Sequence, residues 1–133
     1  MPEYLARFRA ADLFLDSLPF NAGATASDAL WAGLPVLTRP AEAFASRVAA
    51  SLLTSLGIPE LIVATQAEYE ALAVQLARNP GRLAEIKRKL AHNRARTPLF
   101  NSPYFARHIE NAYTQVYERH CAGLPPDHVD ART

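Results

Sequence analysis

Short apolar runs and longer stretches of helical period follow one another along the chain. Three short runs, each bounded by turn residues, predict buried strands over residues 13–15, 34–38 and 61–63. Elsewhere apolar residues recur every three or four positions, which is the spacing of one helix face. We therefore predict helices over residues 25–32, 44–56 and 66–78, and two more that begin at positions 80 and 102.

The order of these elements predicts the fold class. Strands alternating with helices through short connections are typical of an α/β fold with a short parallel sheet flanked by helices, here followed by a helical C-terminus. A complete doubly wound domain usually has five or six strands. With only three predicted strands, the chain is expected to be part of such a domain.

Composition narrows the choice of partners and compartment. The 133 residues are 50% hydrophobic and 20% charged, as in a globular domain with a proper core. A net charge of +1 gives no electrostatic reason to expect nucleic acid or an anionic membrane as a partner. Cys121 is the only cysteine, which favours a reducing, cytoplasmic setting. No apolar run approaches the roughly 20 residues that span a bilayer.

One loop concentrates the candidate chemistry. Residues 19–25 leave the first predicted strand, are mostly small and lead into a predicted helix. Free amides and the helix dipole favour an anion at such a place. The backbone of Gly23, Ala24 and Thr25, with the Thr25 hydroxyl, is suited to a diphosphate. Asp28 lies one turn further, where it can accept hydrogen bonds from sugar hydroxyls.

A structural interpretation of the same residues remains open. Residues 25–28 read Thr-Ala-Ser-Asp, which is a capping box and needs no ligand. For Asp12 and Asp16, which flank the first strand, turn and cap roles are favoured over acid–base chemistry. The histidines show no metal-ligand spacing, so no metal site is expected. The sequence identifies no catalytic residue.

Several segments together resemble a known family. The matching blocks are Leu13–Asp16, Asn21–Thr38, Phe44–Leu53, Pro98–Phe100 and Gly123–His128. In this order they resemble the core of bacterial, tetratricopeptide-linked O-GlcNAc transferase-like glycosyltransferases. The resemblance implies a partial Rossmann-like C-terminal lobe of a B-type glycosyltransferase. Residues 1–122 would form this nucleotide-sugar-binding lobe, and residues 123–133 a loose tail.

The resemblance also implies a ligand and the residues that hold it. The donor would be UDP-GlcNAc or another UDP-sugar, with no cofactor and no metal. Thr25 and the amides of Gly23 and Ala24 would hold the phosphates, and Asp28 would hold the ribose hydroxyls. The remaining two implied contacts are at the base: Arg7 beside the uracil, and Tyr4 where members commonly have a histidine.

Departures from the family pattern limit what is expected of this chain. Many members carry His-Thr-Thr where this chain has Gly23-Ala24-Thr25, so the phosphate site has one imidazole and one hydroxyl fewer. The tetratricopeptide repeats and the N-terminal lobe are not in this sequence. The chain alone is therefore expected to be inactive, with a protein acceptor bound only by a full-length enzyme.

The alternative is a truncated, non-catalytic fragment whose main property is self-association or partner binding. The last predicted helix carries Phe105, Ile109 and Val116 at helical spacing. An exposed apolar stripe of this kind recruits partners, and a homodimer through the C-terminal helix is expected.

Overall fold

The computed structural model describes residues 2–131 and has a mixed α/β architecture. Its helices are α1 (Pro2–Ala6), α2 (Ala24–Ala32), α3 (Val48–Ser55), α4 (Gln66–Arg78), α5 (Pro80–Arg94) and α6 (Ser102–Cys121). The strands are β1 (Phe14–Leu15) and β2 (Val36–Leu37). Short 3-10 turns cover Arg7–Ala10, Phe44–Ser46, Pro59–Leu61 and Pro98–Phe100. The predicted fold class, a short parallel sheet flanked by helices, is confirmed.

The sheet is parallel but shorter than predicted. Phe14 lies opposite Val36 in the β1–β2 pair. The third predicted strand, residues 61–63, is reduced to an isolated parallel bridge between Thr38 and Ile62. The Ile62 amide donates to the Pro59 carbonyl at 3.0 Å, so the residues before the bridge are held in a 3-10 turn and do not extend the strand.

Helix boundaries follow local signals where the chain carries them. The predicted stop at Gly33 is confirmed, because this residue caps α2 with φ of 91° in the left-handed region. The predicted start of a helix at residue 66 is also confirmed, and a capping box between Thr65 and Glu68 begins α4 there. The predicted helix over 44–56 is wrong at its start. Residues 44–46 form a 3-10 turn, and α3 begins at Val48.

The hydrophobic core lies between the sheet and the helices that flank it. Leu30 of α2, Leu53 of α3, Leu76 of α4 and Leu90 of α5 are all fully buried. They share one cluster with Val36 of β2. Burying side chains from four helices against the strands fixes how the helices lie around the sheet. Within residues 2–131, no helix is both long and apolar enough to cross a membrane.

Two compact units divide the chain: the first ends at Phe100 and the second begins at Asn101. The second unit contains α6 and the segment after it. There the Arg119 guanidinium donates to Asp127 at 3.3 Å, and Gln115 donates to the Asp130 carbonyl at 3.4 Å. The described part of the predicted tail, up to residue 131, is thus hydrogen-bonded to α6.

Candidate functional site at the start of α2

The candidate site lies where the parallel strands end. β1 ends at Leu15 and is followed at once by the loop of residues 16–23, which leads into α2. β2 ends at Leu37, and Thr38 continues its pairing through the bridge to Ile62. The carboxyl ends of parallel strands meet at one sheet edge, which is the usual place for ligands in α/β proteins. The predicted loop therefore occupies the expected edge.

Asp16 organises this loop from its first position. Its side chain is buried, with 6% exposed, and both carboxylate oxygens accept hydrogen bonds. Oδ1 accepts from the amides of Ser17 at 2.9 Å and Ala22 at 2.7 Å. Oδ2 accepts from the Thr38 hydroxyl at 2.7 Å. One carboxylate thus ties the two ends of the loop together and fastens them to the end of β2.

Further bonds hold the same loop from outside. The Asn21 amide donates to the Ala45 carbonyl at 3.0 Å, and the Asn21 side-chain nitrogen donates to the Ser17 carbonyl at 3.0 Å. The Tyr69 hydroxyl of α4 donates to the Asp16 carbonyl at 2.7 Å. Burial, and then the charge of Asp16, raise the pKa of the Tyr69 phenol. Tyr69 therefore remains a donor throughout the neutral range.

The structure contradicts the capping-box interpretation of residues 25–28. α2 begins at Ala24, its N-cap is Gly23, and no side chain caps it. Thr25 is the second residue of the helix, so it cannot act as N-cap for Asp28. The helix starts one residue before the predicted position 25, because Asp16 fixes the chain that precedes it. The Ser27 amide already donates to the Gly23 carbonyl at 3.0 Å.

Without a cap, the first amides of α2 are available to a ligand. The amides of Asn21 and Ala22 are used inside the protein. In the part of the chain that the structure describes, the amides of Gly23, Ala24 and Thr25 have no hydrogen-bond partner. Consecutive N–H groups at a helix N-terminus, together with the helix dipole, form an anion site. These are the three residues predicted to hold phosphates.

Thr25 and Asp28 share one face of α2. Residues three apart on a helix are neighbours. Thr25 is exposed and Asp28 is half-buried, so both side chains reach solvent. Gly23 has its φ at −95°, which any residue adopts, and a Cβ there would meet Val48 Cγ1 at 3.7 Å, an ordinary contact. Position 23 is therefore not sterically restricted to glycine.

Tyr4 lies in α1, and Arg7 lies in the 3-10 turn that follows it. The Tyr4 ring packs edge-on against Phe8, with ring centroids 5.5 Å apart. Arg7 is exposed in the following 3-10 turn. Their neighbours Leu5 and Ala6 line a depression with Trp31 at the far end of α2. Contact of Tyr4 and Arg7 with a base stays a prediction.

Two arginines that the sequence did not assign lie in segments after β2. Arg39 follows Thr38 directly, and its buried Nε has no hydrogen-bond partner among the described residues. Arg47 is exposed at the start of α3 and lines a groove of about 300 Å³ with Phe44 and Val48. This groove lies near Gly23, because Val48 is the residue that a Cβ at position 23 would meet. Arg39 carries no local sequence signal beyond its place after a strand.

Two lysines of α5 are paired with acidic side chains. Lys87 pairs with Asp12 at 2.7 Å and Lys89 pairs with Glu60 at 2.8 Å. Arg94 lies over the Trp31 ring, 5.5 Å from its centroid. These contacts are typical of a solvated helix face and give no support to nucleic-acid binding.

The fold agrees with a family assignment from sequence. The model of the family described as glycosyl transferase family 41 matches residues 2–109. The chain belongs to this glycosyltransferase family. It is 37% identical over 131 residues to the UDP-N-acetylglucosamine–peptide N-acetylglucosaminyltransferase of Caenorhabditis elegans, covering 98% of this chain and 11% of that protein.

Other similar proteins carry related names. The probable UDP-N-acetylglucosamine–peptide N-acetylglucosaminyltransferase SEC of Arabidopsis thaliana is 37% identical over 95% of this chain, which spans 13% of that protein. A solved structure, a mutant O-GlcNAc transferase of Thermobaculum terrenum, superposes with a TM-score of 0.83 at 32% identity. It covers 92% of this chain and 24% of its own length. The predicted O-GlcNAc transferase-like family is confirmed, and the chain spans only a small part of its relatives.

Proposed function

We propose that the chain binds the UDP moiety of a UDP-sugar donor at the start of α2, as part of an O-GlcNAc transferase-like glycosyltransferase. The observation that carries the proposal is the run of free amides at Gly23, Ala24 and Thr25, with no side-chain cap competing for them. Relatives named as UDP-N-acetylglucosamine–peptide N-acetylglucosaminyltransferases support UDP-GlcNAc as the donor.

The order of groups along α2 matches the order of groups in UDP. The free amides lie at one end, Asp28 lies in the middle, and α1 approaches the far end near Trp31. The helix has nine residues, which makes it about 13.5 Å long. A diphosphate at Gly23, a ribose at Asp28 and a uracil near Tyr4 or Arg7 would follow this order. No metal is needed, because the amides and dipole supply the positive potential.

The isolated chain is proposed to bind a donor without transferring its sugar. It spans 11% and 13% of the two named relatives cited above. Transfer needs groups that stabilise the leaving diphosphate and a place for the acceptor hydroxyl. We assign neither to residues of this chain, and the protein acceptor belongs to a longer enzyme.

Replacing Asp28 with alanine tests the ribose contact. We expect Asp28→Ala to weaken UDP binding about tenfold, since a hydrogen bond that a ribose hydroxyl donates to a carboxylate is worth more than about 1 kcal/mol. The free energy of unfolding should stay nearly unchanged, because Asp28 does not cap α2. Calorimetric titration gives the first quantity and urea denaturation the second.

The control is a change in the ligand. A 2′-deoxy analogue of UDP lacks one of the hydroxyls proposed to reach Asp28, so the unaltered chain and Asp28→Ala should differ less in their affinity for it. If the variant weakens both nucleotides equally, the ribose assignment is wrong. If it binds UDP as well as the unaltered chain but unfolds more easily, Asp28 has a structural role.

Self-association is the second candidate function, and one observation favours it. α6 exposes large apolar side chains: Phe105 is 65% exposed, Tyr113 68%, Val116 53% and Tyr117 68%. At 100° per residue they lie within an arc of about 120° on one face. A face of this kind is suited to a partner, and we propose a homodimer through α6.

Sedimentation equilibrium tests this homodimer. We expect the unaltered chain to dimerise, and Tyr113→Ser with Val116→Ser to shift it to monomer, because both changes remove apolar area from the proposed interface. Val74→Ser is the matched control, since Val74 of α4 is 50% exposed and lies outside this face. A monomeric unaltered chain at high concentration would contradict the proposal.

A further inference from the structure

Asp16 lies behind the proposed phosphate site and cannot itself bind the ligand. Its carboxylate is buried and negative, so it would repel a diphosphate. Among the described residues, its carboxylate accepts three hydrogen bonds: two from the loop amides of Ser17 and Ala22, and one from the Thr38 hydroxyl. Burying a carboxylate costs free energy because the group loses its hydration, and the hydrogen bonds from these three donors offset that cost. Its role has to be sought in the geometry that these bonds impose.

The geometry that Asp16 imposes extends to the first free amide. Ala22 immediately precedes Gly23, and its own N–H is fixed on Asp16 Oδ1 at 2.7 Å. The peptide unit between them is planar, so only the dihedral angles of Ala22 separate this fixed N–H from the Gly23 N–H. On the far side, the Ser27 amide closes the first helical turn on the Gly23 carbonyl. Gly23 is therefore held from both sides.

We propose that Asp16 is the positioning residue of the phosphate site, oriented by Thr38 and Tyr69. Thr38 donates to Oδ2 and fixes the carboxylate plane, while Tyr69 donates to the Asp16 carbonyl at 2.7 Å and fixes its backbone. These two residues come from the end of β2 and from α4, so the sheet and a distant helix both determine the direction of the free amides. The inference rests on the proposed function.

Pre-organisation is what this arrangement contributes to binding. A loop that is already ordered loses less conformational entropy when a ligand binds, and the saving appears as affinity. Loosening Asp16 should therefore weaken UDP binding although no atom that touches UDP has changed. A residue needed only for stability would not have this effect on a chain that remains folded.

The experiment removes the hydroxyl of Thr38 and keeps its shape. We expect Thr38→Val to weaken UDP binding roughly fivefold at a temperature where the variant is fully folded. Thr54→Val is the matched control, because the Thr54 hydroxyl also donates one hydrogen bond, to the Ala50 carbonyl at 2.8 Å, but within α3. The control should bind UDP like the unaltered chain. Hydrogen exchange of the Ala22 amide should accelerate in Thr38→Val alone.

A second variant tests the same positioning role in case Thr38→Val does not fold. Tyr69→Phe removes only the bond to the Asp16 carbonyl and should weaken UDP binding roughly threefold, with the same control. If folded Thr38→Val and Tyr69→Phe bind UDP as tightly as Thr54→Val does, the positioning role of Asp16 is wrong. The proposed function is not affected by this result. Absence of UDP binding by the unaltered chain would overturn the proposed function and this role with it.

Discussion

We expect Asp16→Ala to lower the free energy of unfolding by about 3 kcal/mol, the largest effect of any single polar side chain in the candidate site. The change leaves the Ala22 amide and the Thr38 hydroxyl without their acceptor in a largely buried place. Each buried donor left unpaired costs roughly 1–3 kcal/mol. Urea denaturation followed by circular dichroism measures the loss.

Asp12 supplies the matched control for this change. It flanks the same strand, but its side chain is 82% exposed and its partner is Lys87. A surface ion pair of this kind contributes at most about 1 kcal/mol, so Asp12→Ala should be nearly neutral. If the two alanine variants lose similar stability, Asp16 does not organise the loop as described.

We expect Gly23→His to tighten UDP binding about thirtyfold under mildly acidic conditions. Many family members carry a histidine at this position, and a Cβ at Gly23 would meet only an ordinary contact, Val48 Cγ1 at 3.7 Å. A hydrogen bond from a charged imidazole to a phosphate is worth about 2 kcal/mol. The gain should shrink as the pH rises through the imidazole pKa, ordinarily about 6.5 and raised by a bound phosphate, because the neutral ring carries no charge.

Gly81→His controls for a histidine near any helix N-terminus. Gly81 is the second residue of α5, where Asn79 already caps the helix by accepting from the Arg82 amide at 3.0 Å. Titrating both variants with UDP, at one pH below and one pH above the imidazole pKa, distinguishes an effect specific to position 23 from a general one. Equal tightening in both would mean that position 23 is not special, and no tightening in Gly23→His would contradict a phosphate at this amide.

Sequence predicted best those features that depend on neighbouring residues. The capping box at Thr65, the start of α5 at Asn79 and the stop at Gly33 were all readable, since each signal lies within a few residues of the boundary that it sets. The segment of small residues that carries the free amides was found in the same way, from its place between a strand and a helix.

What the sequence could not give depends on contacts between distant residues. α2 starts at Ala24 because Asp16 holds Ala22, and Asp16 is itself held by Thr38 and by Tyr69, which is 53 positions away. No local pattern indicates such partners, so the sequence alone leaves open a capping box at residues 25–28 that the structure does not have. The third predicted strand differs for a local reason, because the 3-10 turn Pro59–Leu61 competes with it.

The central claim is that UDP binds at the first amides of α2, and amide-resolved NMR during titration with UDP tests it most directly. The account predicts saturable shifts that are largest at Gly23, Ala24 and Thr25, with smaller shifts at Asp28. No saturable shift at UDP concentrations of about 1 mM would contradict the account. Saturable shifts beside Trp31 without any at Gly23, Ala24 and Thr25 would contradict it equally, because the diphosphate would then not lie at the first amides of α2.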